Sequence, residues 1–162
     1  MLTFDPKLQN ELAPAPEEVW RQALTEFAAS QKLPVDHVLA GGSFTCNGMD
    51  FRLKYNVHHD PDGMVVMLDL GAIPPAYAHT VRREMLAHNA RRASLKLGYF
   101  GIIPGTERGA LCVRLALRDC AHPAATIAVT VDAIAGAMDS AFDSVKSLFA
   151  ENFGLDSATL TA

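Results

Sequence analysis

Three cysteines, six histidines and one basic cluster are the residues whose types could do chemistry in this chain. A thiol becomes a nucleophile or redox group when a neighbouring histidine or cation lowers its pKa, and a zinc ligand when it is grouped with others. Cys46, Cys112 and Cys120 are odd in number and lack C-x-x-C spacing, and Cys112 sits between Leu111 and Val113 as a small packing residue would. Reduced structural thiols are the expectation. His58 and His59 are adjacent at the end of an alternating segment, so their side chains point to opposite faces and cannot easily share a metal. His79 and His88 lie on one helical segment at a spacing that puts them on opposite sides. The chain contains no G-x-S-x-G, G-x-x-x-x-G-K, G-x-G-x-x-G or H-E-x-x-H. No catalytic residue, metal site or cofactor is therefore expected.

The basic cluster is Arg82, Arg83, Arg91, Arg92 and Lys96 against Glu84, a local charge of 5 − 1 = +4. It could dock an acidic segment, but a solvated helix face accounts for it as well. Over the whole chain, 14 basic and 18 acidic residues leave a net charge of −4. Such a balance gives no electrostatic footprint for nucleic acid or an anionic membrane. Half of the 162 residues are hydrophobic and a fifth are charged, which is the composition of one packed domain. The first fifteen residues carry Asp5, Lys7 and Glu11 without an apolar run, so neither a signal peptide nor an inserted membrane segment is expected.

The elements that must position these residues follow from periodicity. Residues 1–15, with Pro6 and Pro14, read as a flexible arm. Pro16 to Gln31 is an amphipathic helix, with Trp20, Leu24 and Phe27 on one stripe and Glu17 and Glu18 in the first turn, where the helix dipole favours acids. Pro34 stops it. Ser43–Cys46, an Asn47-Gly48 turn and the strict alternation of Phe51, Leu53, Tyr55 and Val57 form a hairpin. The turn Asp60-Pro61-Asp62-Gly63 reverses the chain into a strand from Met64 to Leu70, ended by Gly71 and Pro74.

A second helix is expected from about Ala76 to Arg92, then a hairpin of Leu95, Leu97 and Tyr99 with Leu111 to Leu117. From Pro123, Ile127, Val131, Ile134, Met138, Phe142, Val145, Phe149 and Phe153 recur at spacings of three and four along one long helix. The expectation is an α+β domain over residues 16–153, a mainly antiparallel five-stranded sheet with three helices in the order α-β-β-β-α-β-β-α. Residues 154–162 form a tail. Val65 and Met67 fall out of phase with Met64, Val66 and Leu68, and Phe100 and Ile102 out of phase with Leu97 and Tyr99. These four are candidates for an apolar patch on the open sheet face, unless a bulge or a doubly covered strand explains them.

This order of elements resembles the class I type III secretion chaperones, the Tir chaperone family. The stretches that carry the resemblance are Gly63 to Leu70 followed by G-A-I-P, the helix segment E-M-L-A-H-N (Glu84 to Asn89), L-K-L-G-Y-F (Leu95 to Phe100) and L-C-V-R-L-A-L (Leu111 to Leu117). It spans roughly residues 16 to 153. The resemblance implies a homodimeric, non-catalytic chaperone of the bacterial cytoplasm that binds the N-terminal segment of one or more secreted effector proteins and keeps it soluble and secretion-competent. It also implies a dimer interface on the second helix and its neighbouring strand, here Val81, Met85 and Leu97. Effector binding would fall to the first helix and the sheet, here Trp20, Leu24, Phe27, Val65, Met67, Phe100 and Ile102. A secretion regulator or adaptor on the same fold, binding an apparatus component, is the alternative, followed by a small ligand-binding domain or enzyme.

Overall fold

The computed structural model describes residues 15–92, 98–118 and 120–153, with side chains to residue 90 in the first stretch and to residue 138 in the last. The arm at residues 1–14, the tail at 154–162 and Leu97 lie outside the described residues. Helix α1 (Pro16–Ser30) starts on a proline at its first position, with Glu17 and Glu18 in its first turn. Lys32 ends it in the left-handed conformation, φ 56°, and the Leu33 amide donates back to the Ala28 carbonyl at 2.8 Å. A short helix, α2 (Val35–Leu39), follows and buries Val38. Five residues are too few to leave a periodic signal, which is why the sequence pattern yields three helices where the described residues hold four.

Strands β1 (Phe44–Cys46) and β2 (Met49–Lys54) are joined by Asn47 and Gly48 at φ 50° and 75°, the positive pair that a two-residue hairpin needs. The β2 strand is shorter than its alternation suggests. Asn56 turns the chain first, accepting from the His59 and Asp60 amides through its carbonyl and from the His58 amide through its side chain. Tyr55 thereby leaves the sheet. Strand β3 (Gly63–Ala72) runs past Gly71, which forms a bulge at φ 99° instead of ending the strand. A 3-10 turn (Pro75–Tyr77) leads into helix α3 (Ala78–Arg92), strands β4 (Tyr99–Ile102) and β5 (Arg108–Ala116), and helix α4 (Pro123–Phe153).

The architecture is α+β. The five strands form one antiparallel sheet in the order β1-β2-β3-β5-β4. Registers align a single row across it: Phe44, Phe51, Leu68, Leu111 and Phe100. Alternation sends this row and its neighbours Leu53, Val66 and Met64 to one face, where they pack with Ala23, Leu24, Phe27 and Ala28 of α1 and Ile127, Val131, Ile134 and Ala135 of α4. Phe27, Phe44 and Phe51 pack in series, the first pair tilted and the second stacked, with ring centroids 5.5 and 6.0 Å apart. Each such side chain contributes about 1.5–3 kcal/mol on burial.

The opposite face carries the next row, Arg52, Met67, Cys112 and Tyr99, over a smaller cluster of Met67, Ile103, Ala110 and Cys112 with Val65 at its edge. Ion pairs tie β5 to its neighbours: Arg108 to Asp69 of β3 at 2.8 Å, and Arg114 to Asp60 in the turn before β3. The Arg114 hydrogen bonds hold the Asp60 carboxyl below its ordinary value.

Candidate functional site

Three places on this frame could meet another molecule. The first is α3 with the edge of β4. Over Ala78 to Ala90, α3 has no buried residue: Val81, Met85, Ala87 and Asn89 are half-buried and every charged side chain is exposed. Leu86 is 69% exposed, although burying a leucine is favourable. What holds α3 to the sheet is polar at its centre. The Asn89 amide nitrogen donates to the Phe100 carbonyl at 2.8 Å, and the Phe100 amide donates to the Asn89 carbonyl oxygen at 2.6 Å. His88 meets the Phe100 ring edge-on at 5.8 Å, and Arg82 pairs with Glu107 in the β4–β5 turn.

The second place is a shallow recess at the start of α1, lined by Pro16, Val19, Trp20, Tyr55, Pro61, Leu117 and Arg118. Trp20 and Tyr55 stack at 4.8 Å and 26°, and the Tyr55 hydroxyl donates to the Pro61 carbonyl at 3.2 Å. The indole N–H of Trp20 is buried without an acceptor among the described residues. The space is about 20 Å³, enough for one water. The third is the outer side of α4, where Val129 is 67% exposed.

The residues expected to bind a partner are dispersed by the fold. Leu24 and Phe27 are 1% exposed and belong to the main core, so the apolar stripe of α1 is the inner face of the fold and the expectation of a client contact there is revised. Trp20 alone of that trio reaches the surface, half-buried. Val65 and Met67 do lie on the face opposite the helices, but Met67 is buried among Ile103, Ala110 and Cys112, so the expected patch there is largely a second small core.

Phe100 is a correction of phase: it lies in the helix-covered row and packs against the main core, and Ile102, two residues on, shares its side of the strand half-buried. The cause is Gly98. It stands just before β4 at φ 89°, and a Cβ there would come within 2.6 Å of the Cys112 carbonyl, so the strand enters the sheet with Tyr99 opposite Cys112 and Phe100 opposite Leu111. Tyr99, 46% exposed, takes the open-face position instead, with its hydroxyl on the Cys112 thiol. Burial pushes that thiol's pKa up, and the Tyr99 hydroxyl partly offsets the shift.

Among the expected interface residues, Val81 and Met85 sit half-buried on α3. The residues that sequence reasoning missed are Leu86 and Asn89. Leu86 stands beside Met85 in an apolar stretch, and only its exposure separates the two. Asn89 ends the E-M-L-A-H-N stretch of the resemblance, but its bonding role shows only once β4 is placed beside it.

The cysteines are all free. Cys46 lies 3.7 Å from an Asp132 oxygen, and its pKa is raised by burial and by that carboxylate. Among the described residues no group of three or more His, Cys, Asp or Glu is placed to hold a metal ion, and no helix is long and apolar enough to cross a membrane. No protein-family model matches the chain, and no curated protein matches it.

Proposed function

We propose that this chain is a type III secretion chaperone: a homodimer in the bacterial cytoplasm that holds the N-terminal segment of one or more effector proteins in an extended, secretion-competent form. The observation that carries the reading is the uncovered side of α3. A helix of fifteen residues is marginal in water by itself and is normally stabilised by an apolar face packed on a core. Here no residue from Ala78 to Ala90 is buried, and Leu86 faces solvent between the half-buried Met85 and Ala87. A second copy packed on this side would bury Leu86 and complete the cover of Val81 and Met85. The order of elements along the chain supports the same reading, because it is the order that the resemblance to the Tir chaperone family implies.

Client binding falls to the apolar side chains that the fold leaves at its surface. These are Trp20 with its recess, Tyr99 on the open sheet face and Val129 on α4. They are separate, so they suit an extended segment that wraps the domain and places apolar anchors at intervals. Ordering such a segment costs conformational entropy, which several dispersed anchors together offset.

The test is the solution mass of the full chain, alone and co-expressed with effector N-terminal segments. Twice 17.5 kDa for the chain alone, rising on addition of one segment that stays soluble, is the expected result. A monomer that retains none of the segments overturns the reading.

A further inference from the structure

Strand β4 is an edge strand with a hazardous composition. From Leu97 to Ile103 the sequence is L-G-Y-F-G-I-I, seven residues with no charge and no proline. Such segments pair readily with copies of themselves when their edge is open. The opposite edge is blunted in another way. Strand β1 is only three residues long, and the carbonyl of Ser43 just before it is bonded to His37 Nε2 at 2.8 Å. Strand β4, at four residues, is nearly as short but carries no charged residue.

Among the described residues, what meets the backbone of β4 on its outer side is the Asn89 side chain. The amide group of a carboxamide has the donor and acceptor of a peptide unit, and Asn89 presents both to the outward-facing N–H and C=O of Phe100. It therefore occupies the place that a neighbouring strand would take in the ladder. We propose that Asn89 closes the β4 edge, and that without it a second copy of this chain adds there strand to strand. This inference concerns the chain's own sheet edge and holds whatever client the protein carries. It is also distinct from a dimer packed on the outer side of α3, because strand addition at β4 builds species larger than the wild-type assembly.

The experiment uses the full chain as wild type, Asn89→Ala, Asn89→Asp and His88→Ala. Amide exchange at Phe100 is followed by hydrogen–deuterium exchange, the mass distribution by sedimentation over a hundredfold range of concentration, and folding by circular dichroism. For Asn89→Ala, exchange at Phe100 read at the lowest concentration, before copies associate, rises about tenfold, the loss expected for one net hydrogen bond, and species heavier than any in the wild type grow with concentration. His88→Ala, which removes the ring contact and leaves the amide pair, matches the wild type. Asn89→Asp keeps an acceptor for the Phe100 amide but loses the donor to its carbonyl, and falls between the two. Unchanged exchange at Phe100 in a folded Asn89→Ala chain at the lowest concentration overturns the proposal, as does faster exchange there with a wild-type mass distribution at every concentration. Should Asn89→Ala fail to fold, a wild-type mass distribution for Asn89→Asp at every concentration overturns it equally.

Discussion

Replacing Leu86 with alanine separates a helix face that waits for a partner from one that is merely wet. The side chain is 69% exposed and makes little of the fold's core, so the stability of an isolated protomer should change by no more than about 0.5 kcal/mol. In a two-fold dimer packed on α3 the same leucine is buried twice. Full burial of a leucine is worth about 1.5–3 kcal/mol, so burying the exposed two-thirds gives about 1–2 kcal/mol per protomer and about 2–4 kcal/mol per dimer. At 1.4 kcal/mol per tenfold, the dimer dissociation constant should rise roughly 30- to 700-fold. Sedimentation equilibrium over nanomolar to micromolar protein reads that constant directly, with circular dichroism confirming that the variant remains folded. A constant within threefold of the wild type, in a folded Leu86→Ala chain, would refute the argument that α3 carries the interface.

Three further outcomes follow from the fold itself. Phe51→Ala, at a side chain with no exposure in the five-strand row, should cost about 3–5 kcal/mol in urea unfolding, and a loss under 1 kcal/mol would mean that the row is not the core. Gly98→Ala should destabilise by at least about 2 kcal/mol, because it combines a positive φ with a Cβ placed 2.6 Å from a carbonyl oxygen; thermal unfolding equal to the wild type would show that β4 has another path. The carboxyl of Asp60 is held below its ordinary value by Arg114, so its contribution is complete above about pH 4, the unfolded-state range, and fades as pH falls through the depressed native value. Wild type and Asp60→Asn should therefore differ at neutral pH and converge in acid, and a difference that grew on acidification would reverse the assignment.

Local and periodic features were legible without a structure. Alternation in Asp50–Lys54 and Leu111–Leu115, the Asn47-Gly48 turn, and the stripes of α1 and α4 depend on residues a few positions apart, and each leads to the element observed. Together they determine an α+β domain with a five-stranded antiparallel sheet. Where local reading went astray, a feature outside the local pattern had intervened: the register with Leu111 put Phe100 on the covered face, Gly71 carried β3 through a bulge, and Asn56 turned the chain before Val57. The same stripe that made Trp20, Leu24 and Phe27 look like one surface could not say that its inner two-thirds would be sealed by Phe44 and Phe51. Burial is a property of what packs opposite, and the opposite element is distant in sequence. For that reason only the tertiary structure decided that α3 is left uncovered, that Leu86 faces solvent, and that Asn89 stands beside Phe100 as a substitute strand.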